Sequence, residues 1–146
     1  MKSDLRFETA SEEETLALGR RLARVLPETG VVLLIGELGA GKTTLTKGIA
    51  EGRSAALAQD VTSPTFTLIH EYGDPPSVYH VDFYRLDTQE QASRIGLEEL
   101  FTLDALVLVE WGDRFPELFP PATWTIRIQQ GGADHRIFQV SNGIKP

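Results

Sequence analysis

The start of the chain moves through three hydrophobic patterns. Leu5–Ala10 alternates weakly between apolar and polar positions, which predicts an edge strand. In "SEEETLALGRRLARVL" the leucines at 16, 22 and 26 recur at helical spacing. Ser11, with Glu14 three positions on, has the form of a capping box. Residues 12–26 are therefore predicted as an amphipathic helix, ended by Pro27 and Gly30. Val31–Ile35, "VVLLI", is aliphatic without alternation, the pattern of a strand covered on both faces. Beyond a glycine-rich stretch, Leu45 and Ile49 mark one face of a helix over Lys42–Gly52.

The rest of the chain reads as strands and one more helix. Phe66–Tyr72 and Val78–Arg85 form a predicted antiparallel pair joined by the turn "GDPPS". Glu90–Phe101 fits a short helix, Ala105–Trp111 a second buried strand, and "DRFPELFP" a helical turn. Thr123–Gln130 and His135–Val140, separated by "GGAD", predict a closing hairpin. Strands and helices in this order define an α/β fold, a mixed parallel and antiparallel sheet flanked by helices. Residues 1–146 are expected to form a single domain, a length that can bury roughly 70% of its unfolded surface.

Composition removes several classes of chemistry. The chain has no cysteine, so disulfides, thiolate metal sites and cysteine nucleophiles are excluded. His70, His80 and His135 are too scattered to suggest a metal cluster. No apolar leader or membrane-length run occurs, so no membrane association and a cytoplasmic location are expected. The formal net charge of −7 argues against a direct electrostatic grip on nucleic acid, though not against a partner that holds RNA.

One stretch carries explicit chemistry. "GELGAGKTT", Gly36–Thr44, fits G-x-x-x-x-G-K-[ST] between a predicted buried strand and a predicted helix. In that context the backbone N–H groups of Gly39, Ala40, Gly41, Lys42 and Thr43, with Thr44 in the same turn, would wrap a phosphate at the helix start. Lys42 would neutralise phosphate oxygens and the Thr43 hydroxyl would reach Mg²⁺. Two carboxylates could complete such a site. Glu110 ends the run "ALVLVE", where open α/β sheets bind ligands; its plainer role is a solvated strand end. Asp82 shares a predicted strand face with Val78, His80 and Tyr84, so it needs a partner; its plainer role is a salt bridge, for instance to Arg85 or another nearby base. Thr65 in "TSPTF" sits on a loop stiffened by Pro64 and could sense a terminal phosphate or simply cap the loop. Trp111 would face away from Glu110 and pack, with a contact to ligand or partner as the alternative. No N-K-x-D guanine signature occurs, which favours ATP, and no arginine-rich lid of a small-molecule kinase is recognisable.

Taken together, "GELGAGKTT", "VTSPTFTLIHEY", "HVDFYRL", "IGLEELF" and "LVEW" resemble the bacterial TsaE family, the ATPase subunit of tRNA threonylcarbamoyladenosine (t6A) synthesis. The resemblance extends over nearly the whole chain, although the family often has proline or serine where Gly112 stands. It implies a P-loop NTPase domain that is monomeric when alone, with ATP and Mg²⁺ as cofactors. It further implies Mg²⁺ ligation by Thr43 and Glu110, a water-positioning or activating role for Asp82, and nucleotide contacts near Ser11 and at Arg136. It implies action on the TsaB–TsaD pair, which modifies adenosine 37 of tRNAs reading ANN codons, so that tRNA is met only through the complex. ATP hydrolysis would reset that pair between turnovers. A docking module that uses ATP occupancy without hydrolysis, and a P-loop kinase for a small acceptor, stand as the alternatives.

Overall fold

In the computed structural model, residues 4–37, 41–55, 69–73, 75–83, 86, 88, 90–91 and 96–142 are described. They build one seven-stranded sheet covered on both faces. The strands are β1 (Asp4–Thr9), β2 (Gly30–Ile35), β3 (Ile69–Gly73), β4 (Pro76–Asp82), β5 (Leu106–Glu110), β6 (Trp124–Gly132) and β7 (His135–Ser141). Their spatial order is β1-β7-β6-β2-β5-β4-β3. The four central strands, β6, β2, β5 and β4, run parallel, and antiparallel pairs close both flanks. The mixed sheet is the α/β architecture expected, with β1 at an edge as its weak alternation suggested.

Helices α1 (Glu12–Val25) and α2 (Lys42–Gly52) lie together on one face. Leu18 and Leu22 of α1 and Leu45 and Ile49 of α2 pack there on Val32, Leu34, Leu106 and Leu108 of the sheet. The two helices touch backbone to backbone. A β-carbon added at Gly48 would lie 2.3 Å from the Leu16 carbonyl oxygen and 2.8 Å from the Gly19 Cα, so only glycine allows this approach.

The opposite face is closed by different means. Val31, Leu33, Tyr79, Val81, Val107 and Val109 meet Phe83, Leu100 and Phe119, with Phe115 and Leu118 at the margin. A one-turn helix, α3 (Leu97–Leu100), and two 3₁₀ turns, Gly112–Arg114 and Pro116–Leu118, supply this cover. Glu90 and Gln91 are helical as predicted and residues 92–95 lie outside the described residues, so the helix predicted over Glu90–Phe101 is broken at Gly96. Gly96, at φ +83°, cannot lie inside a right-handed helix and sets the start of α3. The single turn predicted in "DRFPELFP" is likewise two tight turns, the second opening with Pro116.

Two strand boundaries move for clear reasons. β5 stops at Glu110 because Trp111 takes a left-handed φ of 64°, which breaks the ladder. The closing hairpin pairs Gly132 with His135, so its loop is Ala133–Asp134 rather than all of "GGAD", with a register shift after Gln130. The residues Phe66–Leu68 and Tyr84–Arg85 of the predicted β3–β4 pair lie outside the described residues. Among the described residues no helix is long and apolar enough to cross a membrane.

Candidate functional site

Three parallel strands end side by side, and their last residues define the site. Register pairs Leu34 of β2 with Glu110 of β5, and Glu110 with Asp82 of β4. Paired residues on parallel neighbours project to the same face, here the face that carries α2. Beyond β2 the chain passes through Gly36 and enters α2 at Gly41, which adopts φ +109°. That is a left-handed conformation open to glycine and strained for a side chain.

The start of α2 is chemically bare. Among the described residues no side chain caps it, and no acidic residue occupies its first turn, the arrangement that suits an anion at a helix start. Thr43 and Thr44 stand in that first turn beside Lys42. The Lys42 side chain is 5% exposed. Its Nζ donates to the Gly36 carbonyl at 2.6 Å and lies 3.9 Å from the centroid of the Trp111 ring. Burial lowers the Lys42 pKa from 10.5, while the charges of Glu110, then Asp82, then Asp113 pull it back up.

The acids are almost fully enclosed. Glu110 is 4% exposed and Asp82 8%. Glu110 accepts a hydrogen bond at Oε2 from Nε2 of His80, itself fully buried. Neither His80 nor Asp113 belongs to the site as chosen from sequence. The signal for His80 lies in "HVD", which places it on the Asp82 face of β4; that for Asp113 is its place three residues after Glu110.

Arg136 comes in from the other side. It stands on β7 opposite Thr9 of β1, and a β-carbon added at Gly41 would lie 3.9 Å from its Nε. Its guanidinium is held by the carbonyls of Ala133 and His135, each at 2.9 Å. The structure therefore brings Gly41, Lys42, Asp82, Glu110 and Arg136 around one strand-loop-helix junction, with Thr43 and Thr44 next to Lys42. Ser11 stands two residues beyond Thr9, but its hydroxyl accepts the Glu14 N–H at 3.1 Å and so serves as the cap of α1. Gly39, Ala40 and Thr65 lie outside the described residues. Trp111 packs on the face opposite Glu110, as expected, and its ring also meets the lysine.

Among the described residues, no group of three or more His, Cys, Asp or Glu side chains could hold a metal unaided. A nucleotide-bound Mg²⁺ does not require such a cage. It takes one or two protein oxygens and completes its shell with phosphate and water. The hard oxygens of Thr43 and Glu110, at the mouth of an uncapped helix, fit that demand.

A seven-stranded sheet of mixed direction with helices packed on it, in which a central parallel strand precedes the sequence G-x-x-x-x-G-K-T and a helix follows, defines an α/β protein with the sequence pattern of a phosphate-binding loop. Within that class the chain belongs to the TsaE family. The family model described as threonylcarbamoyl adenosine biosynthesis protein TsaE matches residues 9–138. The chain is 40% identical over 133 residues to the tRNA threonylcarbamoyladenosine biosynthesis protein TsaE of Bacillus subtilis, covering 90% of this chain and 82% of the relative. It is 43% identical over 120 residues to the protein of the same name from Nostoc sp., covering 79% and 71%. The crystal structure of Bacillus subtilis YdiB superposes with a TM-score of 0.77 at 35% identity, covering 99% of this chain and 88% of that one.

Proposed function

We propose that this chain is a single-domain, cytoplasmic ATPase that serves tRNA t6A synthesis by acting on a TsaB–TsaD complex. The observation that carries the reading is the junction itself. A glycine-led, uncapped helix start presents Lys42 and the nearby Arg136 to an anion, directly beside the strand-end acids Glu110 and Asp82. The name of the family adds the pathway.

In this reading the N–H groups at the start of α2 and the Lys42 ammonium hold the phosphates. Thr43 and Glu110 would hold Mg²⁺, which when bound neutralises charge on the transferred phosphoryl group. Asp82, one strand over from Glu110, orients the attacking water. Arg136 flanks the phosphates from β7. Thr65 answers loss of the terminal phosphate, coupling hydrolysis to the partner pair. The net charge of −7 suits a subunit that meets tRNA only through its partners.

The test is ATP turnover by the purified chain, alone and with TsaB–TsaD, alongside Lys42→Ala, Thr43→Ala and Glu110→Ala. Turnover is expected to be slow alone, altered by the partners, and reduced at least about a hundredfold in each variant. Full hydrolysis and full Mg²⁺ affinity in Glu110→Ala would overturn the metal assignment. Support of t6A formation by a variant that binds ATP without hydrolysing it would favour occupancy-driven docking instead.

A further inference from the structure

The buried imidazole of His80 has no place in the chemistry above, and its setting is expensive. The ring is 0% exposed in the middle of the sheet, where its cross-strand partner on β5 is Leu108. One ring nitrogen, Nδ1, finds no hydrogen-bond partner among the described residues. Leucine or phenylalanine would fill the same space without a polar atom to satisfy. The only polar contact that His80 makes among the described residues is the one from Nε2 to Oε2 of Glu110. Because the acceptor is a carboxylate oxygen, Nε2 carries the hydrogen, which fixes the tautomer.

We propose that His80 is a positioning residue for Glu110: its Nε2–H holds one carboxylate oxygen and locks the side chain in the orientation with which it meets a divalent cation. The inference rests on the nucleotide–Mg²⁺ reading of the site. The bond runs diagonally across adjacent parallel strands, from position 80 on β4 to position 110 on β5, whose direct register partner is Asp82. Both backbones are fixed by the ladder, so the donor does not move with the loops around it. Oε2 is committed to the imidazole and Oε1 is left for the cation. A ligand held from behind in this way arrives pre-oriented, and loss of such a partner costs about ten- to a hundredfold in metal affinity.

The experiment measures nucleotide-dependent Mn²⁺ binding by electron paramagnetic resonance, with ADP present and no turnover required. Four proteins are compared: the wild-type chain, His80→Leu, His80→Gln and His80→Asn. Thermal unfolding is recorded for each. The glutamine amide reaches about as far as Nε2, whereas that of asparagine reaches only as far as Nδ1. His80→Leu and His80→Asn are expected to lose about ten- to a hundredfold in Mn²⁺ affinity, and His80→Gln to recover most of it. If His80→Leu does not fold, the glutamine–asparagine pair decides alone. Imidazole ¹⁵N shifts of the free protein give a second readout, expected to show the Nε2–H tautomer and to change in Glu110→Gln. Equal Mn²⁺ affinity in all folded variants overturns the positioning role while leaving the nucleotide reading intact. Absence of nucleotide-dependent Mn²⁺ binding in the wild-type chain overturns the nucleotide reading itself and the inference with it.

Discussion

The two long helices begin in opposite ways. α1, 14 residues long, is closed by its own sequence. Ser11 caps it, Glu12, Glu13 and Glu14 place negative charge in its first turn, and the Glu14 carboxylate reaches back to the Ala10 N–H at 2.7 Å. α2, 11 residues long, has a glycine cap, no side-chain cap bond and no acid in its first turn. Every helix leaves its first N–H groups without intrahelical partners, and side chains, water or a ligand must satisfy them. α1 solves the problem internally. α2 has no such internal solution among the described residues, and it starts next to a lysine and an arginine. The contrast separates a helix start that builds the fold from one kept open for an anion.

Closing the open start gives the largest expected effect. Gly41→Val puts a β-branched residue at φ +109°, where even unbranched side chains are strained. Urea unfolding is expected to show a loss of about 2 kcal/mol, and binding of a fluorescent ADP analogue should disappear. Unchanged binding would mean that the shape of the loop at Gly41 is not what admits the phosphate. Removing the built-in cap is the milder counterpart. Ser11→Ala should lower stability by about 1 kcal/mol by stranding the Glu14 N–H. Its hydroxyl is committed to the cap, so the affinity for ADP should not change. A clear drop in affinity would give Ser11 a second role at the nucleotide.

The same contrast explains which features the sequence revealed. Ser11 and Glu14 signal a helix start through local spacing alone, and α1 begins there. The Glu14 carboxylate accepts from the Ala10 N–H, and the helix predicted to residue 26 ends at Val25. The motif around Gly41 and Lys42, flanked by an aliphatic run, likewise announces β2 and α2 at nearly their observed limits. The "HVD" spacing puts His80 on the Asp82 face, but its bond to Glu110 could not be recognised in that way. Its partner Glu110 is 30 positions away, and the pair exists only because β4 lies beside β5 in one particular register. The arrival of Arg136 beside Gly41 likewise depends on β7 pairing with β1 and β6. Gly96 marks the opposite failure. A local helical pattern, followed at Glu90 and Gln91 and again from Leu97, is interrupted by one left-handed glycine.

The subtlest consequence is a proton. Lys42 leaves water for a site where the Gly36 carbonyl and the Trp111 ring replace only part of its hydration, and burial lowers its pKa from 10.5 despite Glu110, Asp82 and Asp113. Between that lowered value and 10.5 the unfolded chain binds the proton that the folded chain has released. Stability therefore rises with pH across this alkaline window, and the charged lysine carries its burial penalty at all lower pH. A bound phosphate acts in the opposite direction. Negative charge beside Nζ favours the ammonium, so nucleotide binding in the window takes up a proton, and affinity falls as pH climbs towards 10.5. Titration calorimetry in alkaline buffers of differing ionisation enthalpy should show this uptake, and Lys42→Arg, charged throughout, should abolish it. Affinity that stays flat across the window would place Lys42 away from the phosphates.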